Sequence, residues 1–550
     1  MKFNYAFMEK INTKEVLDWA KDFLSKSEKE ITKDELKEQK KYAILIQNPN
    51  DKTLLSKLLD ESSQIHSNKK LSRRMKILID HYGIPGFFSA TDRILIRLFT
   101  SFGYLFDFIT VPVFKQRLRS DTAKVIINEK RSYLNRHLME RRKQHIGQNV
   151  NLLGEVVLGD GEANHRYKHY LEALKDPQIN YISIKISGIY AQINPLNYEQ
   201  NKTELCERLA MIYQQSIDFP YIDENGISSS KFVNLDMEEY KDTELTLDIF
   251  KTVLSLPQFK NYSSGIVVQA YLPDAWNFQT ELLEFAKQRV ANGGSPLKMR
   301  LVKGANLQME SIVSSLKGWE NPILRSKIEV DANYLHILDR ALEPENAKAL
   351  HVGVASHNFF SIGYAYILCK KNNLEEEEVT FEMLEGMANH LPRVMRNLGK
   401  QIILYTPVVK KEHFLNAVSY LVRRLDENTG KDNFLSYSFN LKYNSKQWRF
   451  LQQQFLESFA LKDKIEAKPY RIQNRNKEQE IKNKNTPYEV FKNEPDTNFD
   501  LKPNRLWADT IRNNWKKSVN DIPYQIPVQI GSTELAGIKK SRYFDRSQNE

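Results

Sequence analysis

The chain has 550 residues, 41% of them hydrophobic, so it is long enough for several domains and too apolar to be disordered. Its 80 Lys and Arg residues outnumber 69 Asp and Glu residues, and the resulting net charge of +11 is spread along the sequence rather than gathered in a tail. Two cysteines and no CxxC pair exclude a disulfide scaffold and a cysteine-based zinc or iron–sulfur site, and no metal site is expected.

The N-terminal segment predicts a cytoplasmic protein. It lacks the apolar core of a secretion signal and carries Glu9 and Glu15, which organelle-targeting peptides avoid. The most apolar stretch, residues 94–114, is interrupted by Arg97 and Asp107. We therefore expect this stretch to be buried helix rather than a membrane span.

Residues 1–125 contain helical patterns and little else. Segments such as VLDWAKDFL and LLSKLLDESSQI have apolar residues three and four apart, which predicts a helical arm and accessory domain. Two basic runs, NKKLSRRMK and RHLMERRKQ, lie on amphipathic helical patterns without interleaved aromatic residues. We interpret both runs as solvated helix faces rather than as a nucleic-acid surface.

Residues 126–460 alternate short β-branched or apolar runs with helical segments of crossover length. Eight such runs predict an α/β protein whose (β/α)8 barrel follows the N-terminal helical domain. No GxGxxG turn follows the first run, which weighs against a dinucleotide-binding fold. The runs are NVNLLGE (149–155), YISIKIS (181–187), FVNLDME (232–238), GIVVQAY (265–271), MRLVKGA (299–305), ALHVGVA (349–355), VTFEMLE (379–385) and QIILYTP (401–407).

The periodic pattern ends near residue 460. Residues 461–500 are polar, rich in Lys and Asn and broken by prolines, which is typical of a linker. Residues 501–550 predict one helix and one or two strands. That is too little to bury a core, so we interpret the segment as the incomplete start of a further module.

Polar residues cluster where the predicted strands end. In (β/α)8 barrels the active site forms at the C-terminal ends of the strands, so these residues are candidates for function. A candidate at a single strand end could equally belong to a buried ion-pair network, but eight convergent ends make a site the better interpretation. The candidates are Glu155, Lys185, Asp236, Glu238, Gln269, Tyr271, Arg300, Lys303, Ser356, His357, Asn358 and Tyr405.

The last predicted helix of the barrel adds the run YLVRRLDEN. The long side chains of Arg423 and Arg424 can converge on one carboxylate, and Glu427, four residues after Arg423, can orient that guanidinium. From the spacing alone, a solvated charge pattern on a helix is the favoured interpretation.

These motifs, in this order, resemble the proline dehydrogenase module of the bifunctional flavoenzyme family proline utilization A. The resemblance runs from about residue 125 to 445 and rests on NLLGE, SIKIS, NLDMEEYKD, GIVVQAYLPDAW, RLVKGA, SKIEVDANY, GVASHN, FEMLEGMA, LYTPV and YLVRRLDENTG. The tail, NEPDTNFDLKPNRLWADTI with IPVQIG, is similar to the entry into that family's aldehyde dehydrogenase module, whose nucleophilic cysteine and NAD site have no counterpart here. The N-terminus does not resemble the family's ribbon–helix–helix segment.

The resemblance implies an activity, a cofactor and partners. It implies FAD-dependent oxidation of L-proline to 1-pyrroline-5-carboxylate, the first step of proline catabolism to glutamate, with a hydride passing to flavin N5. It also implies a membrane quinone as electron acceptor and a transient, peripheral association with the inner face of the membrane. No nucleic-acid partner is expected.

The resemblance also implies residue roles. Arg423 and Arg424, with Lys185, would hold the proline carboxylate. Glu155 and Asp236 would help to arrange these cations, and Tyr405 would pack over the substrate ring. The flavin contacts carry over to Gln269, Arg300, Gly304, Ala305, Lys327, Ser356, His357 and Glu427. The sequence departs from some relatives at Asn151, where they have Asp, and at Asn306 and Leu307, where they have aromatic residues.

Two alternatives remain open from the residues alone. A Schiff-base barrel aldolase would use Lys185 or Lys303, because that chemistry also needs a lysine on a barrel strand. A nucleic-acid-binding protein would fit the sequence pI of about 9.1 and the basic helices, but it lacks the motifs that read nucleic acid.

Overall fold

The structure is a computed structural model, and it describes residues 11–88, 90–102, 107–122, 125–154, 157–410, 417, 420, 433–438, 441–478, 493–519 and 527–535. The helices are α1 (Thr13–Glu30), α2 (Lys33–Gln47), α3 (Pro49–Gln64), α4 (Asn68–Tyr82), α5 (Ala90–Phe102), α6 (Asp107–Thr122), α7 (Arg131–Lys143), α8 (Asp160–Leu174), α9 (Ile186–Ile189), α10 (Tyr198–Asp218), α11 (Thr243–Leu254), α12 (Ala275–Ala291), α13 (Leu307–Lys317), α14 (Lys327–Ala341), α15 (Pro344–Ala347), α16 (Phe359–Lys371), α17 (His390–Asn397), α18 (Phe434–Ser438), α19 (Lys446–Leu461) and α20 (Lys502–Val519). Short 3₁₀ helices lie at Pro195–Asn197, Tyr240–Asp242, Pro257–Phe259 and Lys462–Lys464.

The strands are β1 (Ile127–Asn128), β2 (Gly147–Leu152), β3 (Tyr181–Ile184), β4 (Tyr221–Ile222), β5 (Ser228–Ser229), β6 (Phe232–Leu235), β7 (Gly265–Gln269), β8 (Leu297–Val302), β9 (Leu350–Ala355), β10 (Val379–Leu384), β11 (Ile402–Val409), β12 (Val528–Ile530) and β13 (Thr533–Leu535). Eight of them, β2, β3, β6, β7, β8, β9, β10 and β11, pair in parallel in that order, and β11 pairs back with β2. The predicted (β/α)8 barrel is therefore confirmed.

The barrel strands are buried on both faces, as expected for parallel strands covered by helices. Every residue of β7 is buried, and all but the last residue of β8 are. Six of the barrel strands end earlier than the apolar runs in the sequence, whereas β11 ends later, at Val409, so Tyr405 lies inside that strand and not at its end as predicted. Lys185 follows β3 and precedes α9, and Lys303 follows β8. Both lysines thus lie in the loops at the C-terminal ends of the strands, not in the strands as predicted.

The N-terminal helices confirm the predicted helical region, and its first helix packs on the barrel. Trp19 and Phe23 of α1 stack at 4.8 Å, and Phe23 meets Phe359 of α16 edge-on at 5.1 Å. Gly363 lets Trp19 approach α16, because a Cβ there would lie 2.5 Å from the indole ring. The arm is tied further by Arg393, which donates to Glu35 at 2.7 and 2.9 Å.

One prediction about the N-terminal region is wrong. Residues 94–114 were expected to be buried, but Ile94 of α5 and Phe108 of α6 are 56% and 65% exposed, because two short helices bury one face each. The basic run on α7 was expected to be solvated, and Arg136 and Lys143 are exposed, but Arg141 donates to Glu385, whose carboxylate is buried, at 3.3 Å. None of the described helices is long and apolar enough to cross a membrane.

The chain divides into two compact units, residues 1–471 and 472–550. The second unit contains α20 and the antiparallel hairpin β12–β13, which are the helix and strands predicted there. Inside it, Arg475 donates to Glu494 at 2.9 Å and to Thr497 at 3.0 Å, which joins the two ends of the polar segment. The predicted domain limits at 125, 460 and 500 remain predictions.

Candidate functional site

Arg300 of β8 is the centre of a polar cluster inside the barrel. Its guanidinium donates to Glu382 at 2.5 Å, to Asp236 and the Tyr181 hydroxyl at 2.8 Å each, and to the Ser183 hydroxyl at 3.2 Å. These contacts use four of the five N–H donors of the side chain. Only 4% of Arg300 is exposed. We call Arg300, Asp236, Glu382 and Lys298 the barrel cluster.

The barrel cluster balances two cations with two carboxylates. Lys298 lies two residues before Arg300 on β8, so both side chains point to the same face, and its ammonium is 2.6 Å from Glu382. Burial lowers the pKa of Lys298. Burial alone would raise the pKa of Glu382, but Arg300 and Lys298 outweigh it and hold the carboxyl below its ordinary pKa. The formal charges of the cluster, two positive and two negative, therefore balance.

Asp236, which follows β6, links the barrel cluster to Tyr405 of β11. The Tyr405 hydroxyl donates to Asp236 at 2.8 Å, while Asn234 and Ser183 donate to the other carboxylate oxygen at 3.0 Å each. The Arg300 guanidinium lies 5.6 Å from the centre of the Tyr405 ring. Burial, with the Asp236 charge, raises the pKa of Tyr405 well above its ordinary value, so the phenol stays protonated.

Other predicted residues line the same end of the barrel. Lys185 forms an ion pair with Glu238 at 2.9 Å. Gln269, the last residue of β7, is buried, and its Oε1 has no hydrogen-bond partner among the described residues. Gly304 has a φ of +118°, and a Cβ there would lie 2.4 Å from the Tyr271 ring. Only glycine fits this turn.

A second charged group lies beside the loop after β8. Lys303 is 2.6 Å from Asp331 and donates to the Ser361 hydroxyl at 3.2 Å, and Lys327 contacts the same carboxylate. Lys327 is the first residue of α14, which begins with a capping box between Ser326 and Glu329. Burial is the largest effect on Lys303 and lowers its pKa to about 8.

The loop after β9 places three candidates at the barrel mouth. His357 accepts a hydrogen bond from the Leu384 N–H at its Nε2, at 3.0 Å, which orients the imidazole. The Asn358 N–H donates to the Ser356 hydroxyl at 3.0 Å, and the Asn358 side chain caps α16.

Four predicted site residues, Glu155, Arg423, Arg424 and Glu427, lie outside the described residues. Their neighbour Tyr420 is described, and it packs against a small apolar cluster that contains Val125, Val409 and Ala417. The carboxylate-binding part of the predicted site therefore stays a prediction.

Two members of the barrel cluster, Lys298 and Glu382, and two partners of Arg300, Tyr181 and Ser183, were not predicted from the sequence. A signal was available in each case. Glu382 is the single acid inside the apolar run VTFEML. Lys298 lies two residues before Arg300 and Ser183 lies two residues after Tyr181, so the side chains of each pair point to the same face of their strand. A polar residue that points to the interior from a buried strand indicates a polar partner on another strand of the barrel.

No group of three His, Cys, Asp or Glu side chains in the described part of the chain could hold a metal ion.

The sequence profile of the proline dehydrogenase family matches residues 134–437, more than half of the chain and nearly the whole barrel. The chain belongs to the proline dehydrogenase family. The structural relatives below likewise confirm the resemblance to the proline dehydrogenase module of proline utilization A.

Relatives by sequence are proline and hydroxyproline dehydrogenases. The mitochondrial proline dehydrogenase 1 of Dictyostelium discoideum is 29% identical over 166 residues, which cover 30% of this chain and 28% of that protein. The hydroxyproline dehydrogenase of Xenopus laevis is 27% identical over 164 residues, or 29% of this chain and 34% of that protein. The chain thus matches about a third or less of these relatives' lengths.

Solved structures extend the similarity beyond the barrel. The proline utilization A of Corynebacterium freiburgense is 39% identical, with a TM-score of 0.61 over 72% of this chain and 36% of that protein. The proline utilization A of Bdellovibrio bacteriovorus inactivated by N-propargylglycine is 25% identical, with a TM-score of 0.74 over 96% of this chain and 50% of that protein. This chain therefore spans about half or less of the length of these relatives.

Proposed function

We propose that this chain is an FAD-dependent proline dehydrogenase that oxidises L-proline to 1-pyrroline-5-carboxylate, the first step in the catabolism of proline to glutamate. The observation that carries the proposal is the family match over residues 134–437, which includes every strand of the barrel and its charged C-terminal end. The names of the relatives supply proline and hydroxyproline as the two candidate substrates.

Three features of the barrel mouth fit a flavin. The loop at Gly304 is exposed, and the glycine lets its backbone lie directly against the Tyr271 ring, which holds the loop at the barrel mouth. Gln269 presents a buried oxygen without a partner among the described residues. Arg300 keeps one N–H donor beyond its four contacts. The remaining flavin contacts in the proposal are Ala305, Lys327, Ser356, His357 and Glu427. The flavin supplies the hydride acceptor, its N5 atom.

The protein's own part in the reaction is to hold proline and to keep the site dry. In the proposal Arg423 and Arg424 bind the substrate carboxylate through charge-assisted hydrogen bonds, with Lys185 at the same end of the barrel. Proline reacts as the free amine, so no side chain serves as a covalent catalyst. Tyr405 contributes a fixed ring surface, because its hydroxyl is held by Asp236. Glu155 completes the arrangement of the cations.

The barrel cluster supports this assignment by fixing charges in place. Because Asp236 and Glu382 both bind Arg300, its positive charge is largely compensated. We therefore expect Arg300 to act on the flavin mainly by a directed hydrogen bond, rather than by the uncompensated charge that the sequence suggested. Electrons would leave to a membrane quinone, from a cytoplasmic protein bound transiently at the inner face of the membrane.

The comparisons do not favour the alternatives. A Schiff-base lysine needs a lowered pKa, and Lys303 has one, but its ammonium is held by Asp331 and Ser361. A nucleic-acid-binding role is supported only by the basic composition.

The experiment that tests the proposal is dye-linked oxidation of L-proline by the purified chain, compared with 4-hydroxy-L-proline. We expect dye reduction with L-proline and a kcat/KM at least several-fold lower with the hydroxylated substrate. Dye reduction by neither substrate in protein saturated with FAD contradicts the proposal. A higher kcat/KM for 4-hydroxy-L-proline would instead assign the chain the activity named for the hydroxyproline dehydrogenases.

A further inference from the structure

Helix α8 carries a charged residue on the side that packs against the barrel. Ala163, Tyr170 and Leu174 are buried, and their spacing of seven and four residues places them on one side of the helix. Arg166 lies three residues after Ala163 and four before Tyr170, so it belongs to the same side, and it is only partly exposed. Its contacts with the barrel loops therefore decide what this arginine does.

The guanidinium of Arg166 rests on the backbone of Gly154, in the loop that follows β2. A Cβ placed on Gly154 would lie 2.7 Å from the Arg166 Nε and closer still to its Cζ and Nη2, and these are its three nearest atoms among the described residues. Gly154 does not have a positive φ. The close approach of Arg166, and not the backbone conformation, is therefore what requires glycine at this position.

The same side chain also packs on Gly188, in the turn that follows β3. A Cβ on Gly188 would lie 3.3 Å from the Arg166 Cδ and 3.5 Å from its Nη1. Gly188 belongs to α9, and its N–H donates to the Lys185 carbonyl at 3.0 Å. Arg166 thus lies between two loops of the barrel mouth, one residue along the chain from Glu155 on one side and three from Lys185 on the other.

Tyr170 shows that Arg166 is close to the charged residues of the candidate site. Burial is the largest effect on the Tyr170 hydroxyl and raises its pKa to about 12, while the Arg166 charge lowers this pKa and the Asp236 charge raises it. The same hydroxyl would lie 3.8 Å from a Cβ on Gly188. Arg166 and Asp236 therefore act on one hydroxyl group, at the end of the barrel where the site is expected.

We propose that Arg166 is a positioning residue that sets the distance between the loops carrying Glu155 and Lys185. The proposal rests on the proposed function, in which these two residues and the arginine pair arrange the binding of the substrate carboxylate. A flat guanidinium between two glycines is a fixed spacer, because neither glycine has a side chain that could move aside. Without the guanidinium the two loops can approach each other, and the residues that they carry no longer match the carboxylate of proline.

The first test is carboxylate binding by Arg166→Met, which keeps the aliphatic part of the side chain and removes the flat group. We expect the KM for L-proline and the Kd of tetrahydrofuran-2-carboxylate to rise in parallel, roughly tenfold to a hundredfold, with kcat and FAD affinity little changed. This analogue has the ring and the carboxylate of proline but an ether oxygen in place of the N–H, so it reports binding without oxidation. Arg166→Lys should show most of the same loss, because an ammonium keeps the charge but not the planar shape.

The second test is Gly154→Ala, whose methyl group would push the guanidinium away. The matched control is Gly161→Ala, which adds a methyl group in the first turn of α8 with open space around it. In the unaltered chain Gly154→Ala should raise the Kd of the ether analogue and lower the midpoint of urea denaturation. In the Arg166→Met background it should change neither, because both substitutions act through one contact. The control should neither raise the Kd nor lower the midpoint in either background.

Three results would overturn the proposal. The first is an unchanged KM and Kd in Arg166→Met, and the second is additive effects of Arg166→Met and Gly154→Ala. The third is a loss of FAD affinity as large as the loss of carboxylate affinity, which would make Arg166 a general support of the fold. If the unaltered chain does not oxidise L-proline while the two substitutions remain coupled in urea denaturation, the proposed function fails and the spacing of the two loops by Arg166 stands.

Discussion

Glu382→Gln should destabilise the protein far more than its conservative size suggests. The carboxylate is 3% exposed and lies 2.5 Å from the Arg300 Nε and 2.6 Å from the Lys298 ammonium. The substitution keeps the shape but removes the charge, so a neutral cluster becomes one with a net positive charge inside the barrel. The loss follows from the cations that are left behind, not from the missing hydrogen bonds alone.

The expected loss is about 3–5 kcal/mol in the free energy of unfolding, the range for removing one partner of a buried pair. Coulomb's law gives a similar scale, because unit charges 4 Å apart at an effective dielectric constant of 20 interact by about 4 kcal/mol. Since the pKa of Glu382 is lowered from its ordinary 4.5, its contribution is complete above pH 4.5 and is lost as the pH falls further.

The assay is urea denaturation followed by circular dichroism. The matched control is Glu377→Gln, an exposed acid just before β10, which should cost about 0.5 kcal/mol or less. The double variant Lys298→Met/Glu382→Gln restores equal numbers of positive and negative charges and should recover roughly 1–3 kcal/mol. A loss in Glu382→Gln no larger than in the control, or no recovery in the double variant, would refute the charge-balance reasoning.

Three further outcomes follow from the site. Gly304→Ala should weaken FAD affinity at least tenfold in a fluorescence titration, because its methyl group meets an aromatic ring at 2.4 Å, whereas Gly226→Ala, which also has positive φ but open space, should not. The pKa of Lys303 is about 8 in the folded protein and 10.5 as its ordinary value, so between these two pH values the unfolded chain binds a proton that the folded chain does not. The free energy of unfolding should therefore rise with pH over this range, and Lys303→Met should remove that rise. Replacing either Arg423 or Arg424 by Met should raise the KM for L-proline roughly tenfold to a hundredfold with FAD retained, and an unchanged KM in steady-state kinetics would move the carboxylate site elsewhere.

The barrel could be predicted from the sequence because each strand is a short run of β-branched or apolar residues between helical segments. The strand ends were less accurate. The runs continue through Lys185 and Lys303, but pairing stops at Ile184 and Val302, so both lysines lie in loops. A run of apolar residues indicates that a segment is buried, but it does not indicate that the segment is a strand. Residues in the loops at the barrel mouth are partly buried as well, so the runs continue past the strand ends.

The cluster was only half predictable. Asp236 follows β6 directly and Arg300 lies in the C-terminal half of β8, and both were expected near the site. Lys298 and Glu382 were not, and they lie inside strands separated by about eighty residues in the chain. Their pairing depends on closure of the barrel, which brings β8 and β10 to opposite sides of β9. The alternation of residues along one strand shows which side chains face the barrel interior, but it does not show which residue of another strand each of them contacts. Helix α13 buries Glu310 and Ser314 and exposes Leu316 for the same reason, because the partners of its buried side are distant in sequence.

Anaerobic addition of L-proline to the purified, FAD-loaded chain tests the central claim most directly. The visible absorbance of bound oxidised flavin should bleach on mixing with L-proline and remain with D-proline, and the product should be 1-pyrroline-5-carboxylate. A correctly folded protein that takes up no FAD, or one whose flavin absorbance is unchanged by excess L-proline, would contradict the account.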